Sequence, residues 1–262
     1  WLKLGFRSAL RNEPIHNIDQ PPPASGRGCS AMFEYLGGAV YLATFVVVVY
    51  AIFGNVAGGN QAVTGNWFPW HPVLMTLSFP CLMGFGRLGY VAKASIGINS
   101  RRAWHGVFMG LGVVAALVGY LCIFKAHWPA KKFFGYDFTN GKWNEDWVRT
   151  AHSLFGYVVL LGALVQGFIG PMKIRAISNG QRAFTWHGQL GKLVILGAGV
   201  NLILAAKFWA WSTTLKIVLY VLFAAAALLG ALLPRHVQQE EMPLVSAPLP
   251  TAEESPEPKR SQ

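Results

Sequence analysis

WHPVLMTLSFPCLMGFGRLGYVA, residues 70–92, is the stretch whose reading decides the fold. As a helix it would be about 34 Å long, enough to cross a hydrocarbon core of about 30 Å. Arg87 is its one charged side chain. No alternation of period two runs through it, so a strand of a membrane barrel is excluded. A helix, which satisfies its own backbone in lipid, remains. Outward from this stretch the same pattern recurs at 35–57, 103–124, 150–172, 186–206 and 213–233, and with 69–92 the sequence predicts six spans. Gly and Ala are scattered through them, as in packed membrane helices.

The composition agrees: the 262-residue chain is 53% hydrophobic and 13% charged, outside the range of a soluble globular domain. The expected fold is an all-α membrane protein of six transmembrane helices, with the second to fifth forming a central four-helix bundle. Residues 31–236 form this membrane domain. Residues 1–30, with Pro21, Pro22 and Pro23, and residues 237–262, rich in Pro, Glu and Ser, read as disordered tails. The opening residues show no secretory leader pattern and the chain starts on Trp1, so targeting stays open.

Lys and Arg near span ends favour the cytoplasmic side. One face collects twelve: Lys3, Arg7, Arg11, Arg27, Arg87, Lys93, Arg101, Arg102, Lys173, Arg175, Arg182 and Arg235. The other holds seven: Lys125, Lys131, Lys132, Lys142, Arg149, Lys207 and Lys216. Both termini are then expected in the cytoplasm. The net charge of +11 fits anionic membrane lipid or an anionic reductant and needs no nucleic acid. Cys29, Cys81 and Cys122 make no CxxC or metal-ligand spacing and read as bystanders.

Of seven histidines, four stand near the starts of consecutive spans: His71, His105, His152 and His187. Neighbouring spans run antiparallel, so His71 is expected to meet His152 on the outer side and His105 to meet His187 on the inner side. Ionisable groups in membrane spans are costly and point to function. Facing imidazoles on a bundle suit a six-coordinate haem iron. Gly106, Gly156, Gly188 and Gly191 leave room for a flat macrocycle. Zinc competes poorly, because neither pair has a carboxylate or thiolate nearby.

With Trp70-His71-Pro72-Val73-Leu74-Met75, Trp104-His105-Gly106, Ala151-His152-Ser153-Leu154-Phe155-Gly156 and Trp186-His187-Gly188, the sequence resembles the cytochrome b561 superfamily over about residues 65–207. The resemblance implies two non-covalent haems b, the outer on His71 and His152 and the inner on His105 and His187. It also implies an oxidoreductase that takes electrons from cytoplasmic ascorbate to monodehydroascorbate or ferric iron, often as a homodimer. Compact members without an extracellular domain are the better comparison. Lys93, Arg101, Arg102 and Arg182 are the candidates for holding ascorbate, although no matching motif surrounds them, and His127 is the candidate for the acceptor. Phe79, Phe85, Phe108, Phe155 and Tyr157 read first as packing, with the inter-haem route as the alternative. The competing functions are a two-haem subunit passing electrons between quinone and a protein partner, and a haem-free transporter or structural protein.

Overall fold

A computed structural model describes residues 27–54, 66–90 and 97–233. The helices are α1 (Arg27–Phe53), α2 (Trp70–Thr76), a π-helical segment (Leu77–Met83), α3 (Gly84–Leu88), α4 (Ile98–His127), α5 (Trp147–Ser178), α6 (His187–Phe208) and α7 (Thr213–Leu232). Five are long and apolar enough to cross a membrane: α4 to α7 whole, and α1 over Glu34–Phe53. The predicted second span differs from a uniform helix, since α2, the π-helical segment and α3 divide it. Pro80 sits in the π-helical segment. It has no N–H to give to the carbonyl four residues earlier and its ring crowds that carbonyl, a conflict that local π-winding relieves.

α1 begins at Arg27, inside the stretch expected to be a tail, because no proline follows Pro23 to stop it. The rest of both predicted tails lies outside the described residues. α4 and α5 extend beyond 103–124 and 150–172 at both ends. Asp146 caps α5, its carboxylate accepting the Val148 N–H at 3.0 Å. The polar connection from α4 to α5, expected to be a loop, forms a three-stranded antiparallel sheet of β1 (Lys132–Phe133), β2 (Tyr136–Asp137) and β3 (Lys142–Trp143).

The interior is built on small residues. Ala116, Ala163 and Ala198 pack with Phe79, Met83, Val159, Leu160 and Val194 in one central cluster. A Cβ at Gly199 would overlap Ala227, so α6 and α7 approach at backbone distance. The outside is apolar as well: Val107, Leu111, Val114, Val118 and Leu121 make an exposed stripe of helical period along α4. Three cations lie over aromatic rings at one end of the bundle: Lys125 over Trp67, Arg149 over Phe208 and Lys207 over Trp147. That arrangement suits a membrane interface, where amphipathic rings and basic head groups meet.

Candidate functional site

The four span-opening histidines come together as two pairs. His71 of α2 faces His152 of α5, ring centroids 6.4 Å apart and planes at 82°. His105 of α4 faces His187 of α6, centroids 6.4 Å apart and planes at 78°. Antiparallel neighbours give the same pairing.

Three of the rings are held by main chain from a neighbouring element. His71 Nδ1 lies 3.0 Å from the Gly119 carbonyl, His105 Nδ1 3.1 Å from the Gly86 carbonyl and His152 Nδ1 3.0 Å from the Asn201 carbonyl. A carbonyl only accepts, so Nδ1 carries the proton and donates. In each neutral ring Nε2 is then the coordinating nitrogen, the arrangement that fixes tautomer and ring direction in metal-binding histidines. At the fourth position Gln166 Nε2–H donates to the His187 carbonyl at 2.8 Å.

The same contacts set the spacing of the pairs. From His105 to Gly119 along α4, and from His152 to Gln166 along α5, the interval is fourteen residues, about 21 Å of helix at about 1.5 Å per residue. The two pairs therefore sit at opposite ends of the bundle.

At the His71–His152 end a cavity of about 540 Å³ opens between the helices and the small sheet, within the range of about 300–1,000 Å³ usual for cofactor sites. Met75, Phe79, Tyr120, Leu160, Leu202 and Phe208 form apolar walls, while Lys132, Asp137, Lys142, Glu145 and Arg149 line the rim. Thr139 N–H, Asn140 N–H and the Asn140 side chain donate to the Asp137 carboxylate, which also pairs with Lys132 at 3.3 Å. These donors, Asn140 foremost, hold its pKa down to about 2.

The residues fit a bis-histidine haem. A first-row metal–imidazole bond of about 2.0–2.1 Å on each side, with about 1.1 Å from each nitrogen to its ring centre, separates two axial rings by about 6.3 Å, close to the 6.4 Å observed in both pairs. Among the described residues no three His, Cys, Asp or Glu side chains group as a metal site.

His127, at the end of α4, lines the same cavity as His71 and His152 and stacks on Phe68 with centroids 6.3 Å apart. Arg101 is buried in the first turn of α4, one turn before His105, and Arg102 lies beside it. Arg182 is exposed in the connection before His187. Lys93 lies outside the described residues. Gly156 does line the cavity, yet part of the space it frees is taken by Asn201, whose Nδ2 is 2.9 Å from where a Cβ would stand. Phe79 belongs to the central core, and the Phe85 ring lies tilted against Phe108, centroids 6.0 Å apart.

Sequence reasoning missed Gly86, Gly119, Asn201 and Gln166. Each stands fourteen or fifteen residues along the chain from one of the four histidines, an interval that by itself singles out no residue type. It also missed Tyr120, hydrogen-bonded to Tyr157 on the cavity wall.

Fold and site together define a multi-pass helical membrane protein with two facing-histidine centres. Residues 70–172 match the family model of eukaryotic cytochrome b561. The match includes His71, His105 and His152; His187 falls beyond it. No curated protein and no solved structure matches the chain. Proteins of that family bind b-type haem and carry electrons across membranes.

Proposed function

We propose that the protein passes single electrons through two b haems, one held by His71 and His152 and the other by His105 and His187. The donor is cytoplasmic ascorbate, and the acceptor across the membrane is monodehydroascorbate or a ferric chelate. The observation that carries this reading is the pair of equal histidine separations, each of ligand-to-ligand length, about 21 Å apart along the bundle. When bound, the haems supply reversible one-electron chemistry.

The chain supplies the rest. Gly119, Gly86 and Asn201 carbonyls keep three rings oriented. The aliphatic and aromatic walls give the outer pair apolar surroundings. On the inner face Arg101, Arg102 and Arg182 stabilise an anionic donor through charge-assisted hydrogen bonds, and its proton leaves to water at that surface. On the outer face His127, with the Lys132 and Lys142 side chains at the cavity rim, receives the acceptor. The basic bias orients both termini to the cytoplasm, and the functional assembly is a homodimer.

The test is a reduced-minus-oxidised spectrum of the purified protein with ascorbate as reductant, alongside haem quantitation. Two b haems per chain reduced by ascorbate support the proposal. Two haems that respond only to dithionite move the assignment to a subunit working with quinone and a protein partner, and absence of haem overturns it.

A further inference from the structure

α2, the π-helical segment and α3 form one run that contains a residue more than its partner helix. His71 reaches the Gly119 carbonyl at one end and His105 reaches the Gly86 carbonyl at the other. Between these equivalent contacts α4 advances fourteen residues, 105 to 119, while the facing run advances fifteen, 71 to 86. On the other two helices both intervals are fourteen: 152 to 166 on α5 and 187 to 201 on α6, between the contacts His152–Asn201 and Gln166–His187.

A buried hydrogen bond locates the surplus. Ser78 Oγ–H donates to the Gly112 carbonyl at 2.7 Å. Seven residues separate it from His71, and seven separate Gly112 from Gly119. Beyond it α4 takes seven residues to reach His105, and the facing run takes eight to reach Gly86. The extra residue thus falls between Ser78 and Gly86, where the winding is π.

At 3.6 residues per turn, one surplus residue would rotate everything after it by about 100°. A π-bulge absorbs one residue and cancels that rotation. The contacts of α3 depend on this angle. Trp104 Nε1–H donates to the Phe85 carbonyl at 2.8 Å while His105 takes the next carbonyl, Gly86. On another side Gly84 lies flat against the Tyr41 ring, where no side chain has room.

We propose that the π-helical segment Leu77–Met83 is a one-residue register element that aims α3 at Trp104 and His105. It thereby positions the inner histidine pair and leaves the outer pair alone. The spectroscopic part of its test rests on the haem reading; the cross-linking part does not.

The experiment compares three full-length variants: Pro80→Ala; Pro80→Ala with Cys81 deleted, which restores an all-α count; and that deletion with one alanine inserted after Leu82, which restores the original count. Helix register is read by disulfide cross-linking of Gly37→Cys with Leu88→Cys, sites that touch in the parent, with the native cysteines replaced by alanine. The two low-spin signals are read by electron paramagnetic resonance of the purified holoprotein, the inner one assigned as that lost in His105→Ala.

Pro80→Ala should cross-link like the parent. The deletion should lose the cross-link at least tenfold and shift the inner signal alone, and the reinsertion should recover both. A deletion variant that cross-links like the parent, shifts both signals equally, or is not rescued by reinsertion overturns the proposal. A parent protein without two haems would instead refute the proposed function, with cross-linking still deciding this inference.

Discussion

Gly84→Ala is the smallest substitution that loads the contact between α1 and α3. A Cβ built there lies 2.7 Å from Tyr41 Cγ and Cδ2 and 2.8 Å from Cε2. Ordinary van der Waals contact begins near 3.4 Å, so ring and helix must part by about 0.7 Å. Tyr41 is 0% exposed and its ring is rigid, so it has nowhere to retreat. Overpacking of this kind costs about 1–3 kcal/mol, against the gain of about 0.5–1 kcal/mol from replacing a helical glycine. The overpacking wins by up to about 2.5 kcal/mol. At about 2–4 °C per kcal/mol for a chain of this size, thermal unfolding in detergent should fall by several degrees. Gly110→Ala is the control: its Cβ meets nothing within 4 Å, so only the helix gain remains and the midpoint should hold or rise. Because Gly84 is two residues from the carbonyl that orients His105, the loss should appear first at the inner centre. A Gly84→Ala protein as stable as the Gly110→Ala protein would refute the packing argument.

Removing one ligand should remove one haem. His71→Ala and His152→Ala should retain a single haem still reduced by ascorbate, whereas His105→Ala and His187→Ala should lose ascorbate reduction; a quantitation showing two haems in His71→Ala would break the pairing. Arg182→Ala should raise the ascorbate concentration for half-reduction roughly tenfold or more, the loss of a charge-assisted hydrogen bond of about 1.5–3 kcal/mol, and an unchanged titration would remove Arg182 from the donor site. Asp137 has a depressed pKa, so its contribution to the order of the small sheet is complete above the ordinary carboxylate value of 3.8 and is lost as pH falls through about 2. Amide exchange at Thr139 and Asn140, compared with Asp137→Asn, should show the protection in the parent disappearing over that window, and equal protection in the two proteins at about pH 6 would count against it.

Five of the six predicted spans were legible because apolar length is written along the chain, and the pairing followed from the positions of His71, His105, His152 and His187 once neighbours were taken as antiparallel. Helix ends were less legible. Arg27 and Ile98 extend their helices into polar sequence, where hydropathy gives no edge and only the absence of a breaker matters. Pro80 was visible, yet its effect was not, since a proline in a membrane helix can kink, end or rewind it depending on the partner. The small sheet over the cavity escaped because its strands are two residues each and depend on Gly135 and Gly141 at positive φ. Gly86, Gly119 and Asn201 were hidden for a different reason: they hold the histidines through their carbonyls, which every residue has.

That use of main chain shapes which changes the protein can absorb. A side-chain acceptor behind a histidine is lost with a single base change, but the carbonyls of residues 86, 119 and 201 survive any substitution that leaves the helix in place. At Gly86 and Gly119 the limit on substitution is then room for a side chain, against Phe108 and Met109 at Gly86 and Leu74 at Gly119. Side chains around these ring supports can change while the ring orientation is kept.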